Sequence, residues 1–433
     1  MENKRREIYK DNFAEYLLCL ALDVGEGMLK NGGEVSRVED TIERICHAYG
    51  AVHVEVFSII SMISASVRMP DGSYSSQIRR VKNTFTDLSS LEMLNALSRE
   101  VCATKPPLEE LDERIHKIRS SRTYRWWVTL IATIVIAVSF TFFFGGGIFD
   151  ALVAVFIGAA ISLFEIFPSK YINGMAKIAL SSFVIAMMTG IAVLILPKNT
   201  LNVDAIIIGS IMFLVPGLAF GTAMRDLLCG DLASGSLKTL QAVLQALMIA
   251  LGYMAAFVLV TKGIDGGVVN TGVESGFFTW RLLIQLVTSA LGSIAFSVIF
   301  RVMRRHLICI GLVGILTYFV YYTVIYFDNS AHFLAALAST AFAALFAEIY
   351  ARVRRAPVIV LLSPAIIPIV PGADLYRTMK NLLMGNTAES FTYLGIALAI
   401  ALGIAMGIVT VSITCRMIFD AIAKSKQKIK SNK

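Results

Sequence analysis

The sequence predicts an α-helical polytopic membrane protein of about ten transmembrane helices in an inverted five-plus-five repeat, preceded by a small N-terminal α/β cytosolic domain. Three observations carry this. Of 433 residues, 56% are hydrophobic and only 16% charged, so a lipid bilayer is the main solvent of the chain. Apolar runs of roughly 20 residues, enough to cross about 30 Å of hydrocarbon at about 1.5 Å per residue, recur from Trp126 onward and are absent before it. The membrane part also repeats itself at a fixed offset, the one that carries Pro216 onto Pro371.

Residues 1–122 form the predicted cytosolic domain. Phe13, Leu17, Leu20, Val24 and Met28 recur at helical spacing, and Asn31-Gly32-Gly33 stops that helix. A second helix, about Val35 to Tyr49, puts Val38, Ile42 and Ile45 on one face and ends at Gly50. Val52 to Met69 is rich in β-branched residues, and Pro70-Asp71-Gly72 turns it into Tyr74 to Val81, which predicts a small sheet. Two further helices, about Asp87 to Ala103 and Leu108 to Ser120, flank Lys105-Pro106-Pro107. The charged start, Met-Glu-Asn-Lys-Arg-Arg-Glu, has no apolar run behind it, so no cleavable signal is expected.

Ten apolar segments follow: 126–144, 149–167, 177–197, 203–221 and 239–261 in a first membrane half (123–265), and 280–300, 306–327, 331–350, 357–373 and 391–416 in a second (276–420). A basic tail, 421–433, closes the chain. Lysine and arginine concentrate in alternate loops, with Lys170 and Lys177, Arg225 and Lys238, Arg301 to Arg305, and Arg352 to Arg355 on the cytoplasmic side. Both termini are therefore expected in the cytoplasm, with the protein multi-pass in the cell (inner) membrane. The net charge of +8 lies in these loops and the tail, so it reflects topology and not a nucleic-acid partner.

The repeat aligns Val215-Pro216-Gly217 with Val370-Pro371-Gly372, then Met224, Leu227, Leu228 and Gly230 with Met379, Leu382, Leu383 and Gly385. Five being odd, a half that starts inside ends outside, so the second half runs the opposite way. That architecture is the one used for alternating access, with a site at the interface of the halves. Proline and glycine in mid-segment should break both helices, freeing backbone groups tolerable only inside protein or beside a watery cavity. The competing reading makes each motif a helix end at the interface.

Charges inside the membrane part are costly and mark candidate sites. Arg225 and Asp226 follow the first motif; Asp374, Arg377, Lys380 and Asn381 follow the second. With Pro216, Gly217, Pro371 and Gly372 they form the substrate-binding candidates. Arg377 and Lys380 depart from the inside preference for cations, which favours binding of a carboxylate. Glu165 and Glu348 each lie in an apolar run and are the proton-coupling candidates; the structural alternatives are contacts with Lys170 and Arg352.

Six scattered cysteines make no CxxC pair, so reduced thiols, no metal and no cofactor are expected. The P-loop, HExxH and GxSxG patterns are absent. The chain is thus read as a transporter driven by ion gradients and not as an enzyme, the contrary hypothesis being a membrane-anchored enzyme with a catalytic N-terminal domain.

Three features resemble the threonine/serine exporter family of bacteria and fungi: Gly32-Gly33-Glu34-Val35-Ser36-Arg37-Val38-Glu39-Asp40-Thr41, Arg79-Arg80-Val81 ahead of Asp87-Leu88, and the paired Val-Pro-Gly motifs. The resemblance covers essentially the whole chain, in the fused form of a family that also occurs split. It implies export of small hydroxy amino acids by a secondary mechanism, with proton antiport. Split relatives imply the alternative, a dicarboxylate such as succinate. Substrate, protons and lipid are the expected partners; oligomeric state is left open. Gly32, Gly33, Glu34, Arg37, Glu39 and Arg80 have two readings, a helix stop and start with surface charges, or a cytosolic polar site that gates or receives substrate.

Overall fold

The computed structural model describes residues 12–82, 86–121, 123–166, 172–197, 200–215, 217–228, 230–260 and 278–431. The chain divides into two compact units. The first holds the chain through Thr123 together with Phe300–Met303 and Tyr350–Val360; the second holds the remainder.

In the first unit, α1 (Phe13–Lys30) begins at Asn12, whose side chain accepts the Glu15 amide. Its end is set by two glycines. Gly32 has φ +89°, and at Gly33 a Cβ would stand 2.8 Å from the Met28 carbonyl oxygen, so neither position accepts a side chain. Next comes α2 (Val35–Ala48), burying Val38, Ile42 and Ile45 as its spacing predicts. Three antiparallel strands follow in the order β1 (His53–Ile59), β2 (Met62–Arg68), β3 (Tyr74–Arg80). The predicted β-rich stretch 52 to 69 is therefore two strands. They are joined by Ile60-Ser61, a tight loop that no glycine or asparagine announces. Ile63, Ala65 and Val67 of β2 point inward.

Asp87 caps α3 (Leu88–Thr104) by accepting the Ser90 amide, and α4 (Leu108–Ser120) completes the bundle. Buried Asp23 of α1 gathers Arg119 at 3.3 Å and Arg79 at 3.9 Å, tying α1 to α4 and β3. Burial pushes the Cys46 thiol up to about 12, which keeps it protonated and unreactive.

The loop pieces of this unit are held by α3. The Leu88 and Ser89 amides donate to the Phe300 and Arg301 carbonyls at 2.9 and 3.2 Å, the Arg301 guanidinium reaches Asp87 at 3.1 Å, and Arg99 donates to the Arg355 carbonyl at 2.7 Å. Arg301 and Arg355 both have left-handed backbone, φ +53° and +54°, where a side chain is strained.

The second unit contains α5 (Trp126–Phe143), α6 (Ile148–Ile166), α7 (Gly174–Ile195), α8 (Val203–Ile211), α9 (Gly217–Leu228) and α10 (Leu232–Val260). Then come α11 (Trp280–Ile299), α12 (Leu307–Phe327), α13 (His332–Arg354), α14 (Val358–Ala365), α15 (Gly372–Leu383) and α16 (Thr387–Ser431), with ends of α13 and α14 shared with the first unit. Among the described residues, eight helices are long and apolar enough to cross a membrane, and nine if α14 and α15, bent by 42°, form one span. The protein is a multi-pass membrane protein. The fourth predicted segment runs through Pro216, which lies outside the described residues, with α8 and α9 on either side. The backbone of α16 continues through the basic tail as helix to Ser431.

Glycine permits close helix crossings. A Cβ on Gly252 of α10 would strike the Ala179 carbonyl of α7, and one on Gly407 of α16 would stand 2.9 Å from the Leu337 carbonyl of α13. These two glycines correspond under the repeat offset.

Candidate functional site

Each apolar segment with a Val-Pro-Gly motif is interrupted. In the first half α8 ends at Ile211, and the carbonyl of Leu214 beyond it accepts the Gln245 side-chain amide of α10 at 2.8 Å. A backbone acceptor freed in an apolar medium needs such a partner. In the second half α14 contains Pro364 and ends at Ala365, a 3₁₀ turn spans Ile367–Ile369, and Pro371 stands at the N-cap of α15.

The two breaks touch. A Cβ on Gly372 would lie 2.8 Å from Met212 Sδ and 3.1 Å from Val215 Cγ1, so the second break approaches the first closely at this glycine. Beside the contact is a narrow cleft with room for about one water molecule. Ile211, Val215, Ala246, Ile249, Ala250 and Tyr253 line it from the first half, and Leu375, Tyr376, Met379 and Lys380 from α15. Tyr253 and Tyr376 meet edge to face with ring centroids 5.6 Å apart.

Four charges gather on α15 and the start of α8. Lys380 Nζ is 2.6 Å from the Asp204 carboxylate, and both side chains are mostly buried. Arg377 lies 3.5 Å from Asp374 one turn earlier on α15, with its guanidinium 5.5 Å from the Tyr393 ring centroid. Two carboxylates thus face two cations. Arg377 and Lys380, expected to hold a carboxylate, each have one supplied by the chain.

The remaining predicted residues fall elsewhere. Gly217 opens α9, and Arg225 lies on α9, its side chain outside the described part. Asp226 pairs with Lys238 of α10 and does not line the cleft. The Asn381 carbonyl accepts the Asn386 amide at the end of α15. Glu165 pairs with Lys177 at 2.8 Å; Lys170, its expected neighbour, lies outside the described residues. Glu348, buried on α13, accepts a long 3.4 Å bond from Ser412 of α16. In the first unit, Gly32 and Gly33 form the turn already described. Glu34 stands at the N-cap of α2 without a side-chain capping bond, and Arg37 is half-buried. Glu39 is engaged by β1, accepting the Ser58 amide and hydroxyl at 2.7 and 3.1 Å. Arg80 is exposed at the end of β3. Among the described residues no group of three or more histidine, cysteine, aspartate or glutamate side chains could hold a metal.

Asp204, Tyr253, Tyr376 and Tyr393 are absent from the candidates read from sequence. Asp204 sits in the first turn of an apolar segment, where an acidic residue serves equally as an ordinary helix-start charge.

Two family models match the chain. Both are described as threonine/serine exporter, one over residues 19–260 and the other over residues 285–414. No curated protein and no solved structure matches.

Proposed function

Since the chain belongs to the threonine/serine exporter family, we propose that it is a secondary active exporter of threonine and serine, driven by proton antiport. It works by alternating access between two inverted halves of five membrane segments, with both termini in the cytoplasm. Residues 1–122 form a cytosolic domain, 123–265 and 276–420 the halves, and 421–433 a basic extension. The observation that carries this reading is the contact of the two breaks at Gly372, Met212 and Val215, with a cleft lined from both halves beside it.

The charge balance separates the two substrate classes. A dicarboxylate calls for surplus positive charge, whereas Asp204 and Asp374 match Lys380 and Arg377 one for one. A zwitterion, bringing one charge of each sign, suits such a site. Asp374, Arg377, Lys380 and Asn381 contribute recognition from the second half, whereas on the corresponding stretch of the first, Arg225-Asp226, the return helix is braced by Asp226 through Lys238. Pro216, Gly217, Pro371 and Gly372 supply the breaks. For proton coupling Glu348 is the better supported of the two carboxylates: it is buried in the membrane part, whereas Glu165 is more exposed and held by Lys177.

Cells expressing the protein and loaded with a threonine dipeptide should release threonine faster than controls, and a protonophore should remove the difference. Unchanged efflux would overturn the export reading. In proteoliposomes, succinate competing with labelled threonine would move the assignment to dicarboxylates.

A further inference from the structure

The Asp204–Lys380 pair is a poor stabilising device. Both groups give up water in a low-dielectric setting, and apolar residues packed in their place are often at least as stable. It also joins the halves, since Asp204 is in the first turn of α8 and Lys380 on α15, 176 residues later. Lys380 lines the cleft, one helical turn from Tyr376. The Tyr376 hydroxyl is buried beside Tyr253 and makes no well-formed hydrogen bond among the described residues. A buried hydroxyl left in that condition costs free energy, which a ligand able to bond it recovers. The other cleft walls, Ile211, Val215, Ala246, Ile249 and Met379, offer only apolar surface.

Resting on the exporter reading, we infer that Asp204, Lys380 and Tyr376 are the recognition triad for a small hydroxy amino acid. The substrate ammonium takes Asp204, its carboxylate takes Lys380, its hydroxyl bonds Tyr376, and its short carbon frame fills the apolar wall. The ion pair is then the closed form of the empty site. Separating α8 from α15 without substrate strands two buried charges, at a cost of several kcal/mol. A zwitterion inserted between them satisfies both, so the halves part for substrate and stay together without it. A dianion leaves Asp204 unmatched, and a monocation leaves Lys380 unmatched.

The test uses the purified full-length protein and equilibrium binding of L-threonine, L-threonine amide, which lacks the carboxylate, 3-hydroxybutyrate, which lacks the ammonium, and L-2-aminobutyrate, which lacks the hydroxyl. Lys380→Met is expected to weaken threonine binding by about 100-fold, the scale of truncating one partner of a buried charge pair, and to make the amide the preferred ligand. Asp204→Asn should weaken it similarly but shift preference toward 3-hydroxybutyrate. Tyr376→Phe should reduce threonine affinity by about 10-fold, to the level of 2-aminobutyrate, the scale of one lost hydrogen bond. A general loss of fold cannot produce opposite preferences in two variants. Threonine binding within about twofold of native in both charge variants, or unaltered ligand preference, would overturn the inference while leaving the exporter reading intact. Failure of the native protein to bind or export any of the amino acids would instead remove the exporter reading.

Discussion

In the first half the chain leaves helix at Ile211 and re-enters at Gly217; in the second it leaves at Ala365 and re-enters at Gly372. The return helices then end alike. Gly230 and Gly385 both take left-handed backbone, at φ +92° and +82°. Asp231 and Asn386 each send an amide back to the carbonyl of Asp226 or Asn381 at 2.9 Å. The side chains on this shared frame differ. Asp226 pairs with Lys238, whereas the corresponding second-half residues are Asn381 and Tyr393, and the Tyr393 ring receives Arg377. Backbone hydrogen bonds duplicate a shape regardless of side chain, so the two return helices end alike while the second turns a charge, Lys380, to the cleft, where it meets Asp204 of α8.

The sharpest way to break that comparison is Gly372→Val, which drives a branched side chain into Met212 and Val215. Threonine efflux should fall to the level of cells without the protein while the chain still reaches the membrane. Near-native efflux would mean that the breaks need not meet. Lys238→Met comes next. It removes one partner of the buried Asp226 carboxylate and should destabilise the protein by about 1.5–3 kcal/mol in thermal unfolding, without changing its ranking of threonine analogues. A changed ranking would give the Asp226–Lys238 pair a share in recognition.

A milder effect is expected from copying the first half into the second. Asn381→Asp with Tyr393→Lys replaces the ring under Arg377 and adds a carboxylate one turn from it. Threonine affinity should drop by about 10-fold, with melting temperature little altered. The smallest test is Gly230→Ala against Gly385→Ala: each should cost about 1 kcal/mol, because a Cβ meets the same left-handed backbone in both. Clearly unequal losses would show that the two turns are not built alike under load.

Much of the fold was legible where glycine and proline punctuate an apolar pattern. Gly32-Gly33, Pro106-Pro107 and the two Val-Pro-Gly motifs mark boundaries that the structure places within a few residues. The Ile60-Ser61 turn was not, because it carries none of those residues, and register with β2 and β3 decides it. Arg377 and Lys380 stood out as cations on the side expected to be poor in them. Their partners did not. Asp204 falls on Ile359 under the repeat, so comparing the halves gives it no echo. Tyr253 and Tyr376 read as apolar-face aromatics until the fold brings them together. Glu165 was legible as a residue held by a lysine, but the identity of that lysine, Lys177, depends on where α7 begins.

The left-handed arginines at 301 and 355 have a consequence for how the chain is made. Glycine would suit either position without strain, yet each holds arginine and lends its carbonyl to α3, from Ser89 or from Arg99, the latter 256 residues earlier in sequence. Helix α3 is synthesised and free to fold long before these loops leave the ribosome, as domains generally do from the N-terminus onward. The loops therefore close on a template already standing. A chain lacking its first 120 residues would have to make both bends unaided, and its second half would be expected to mature slowly even with every membrane helix present.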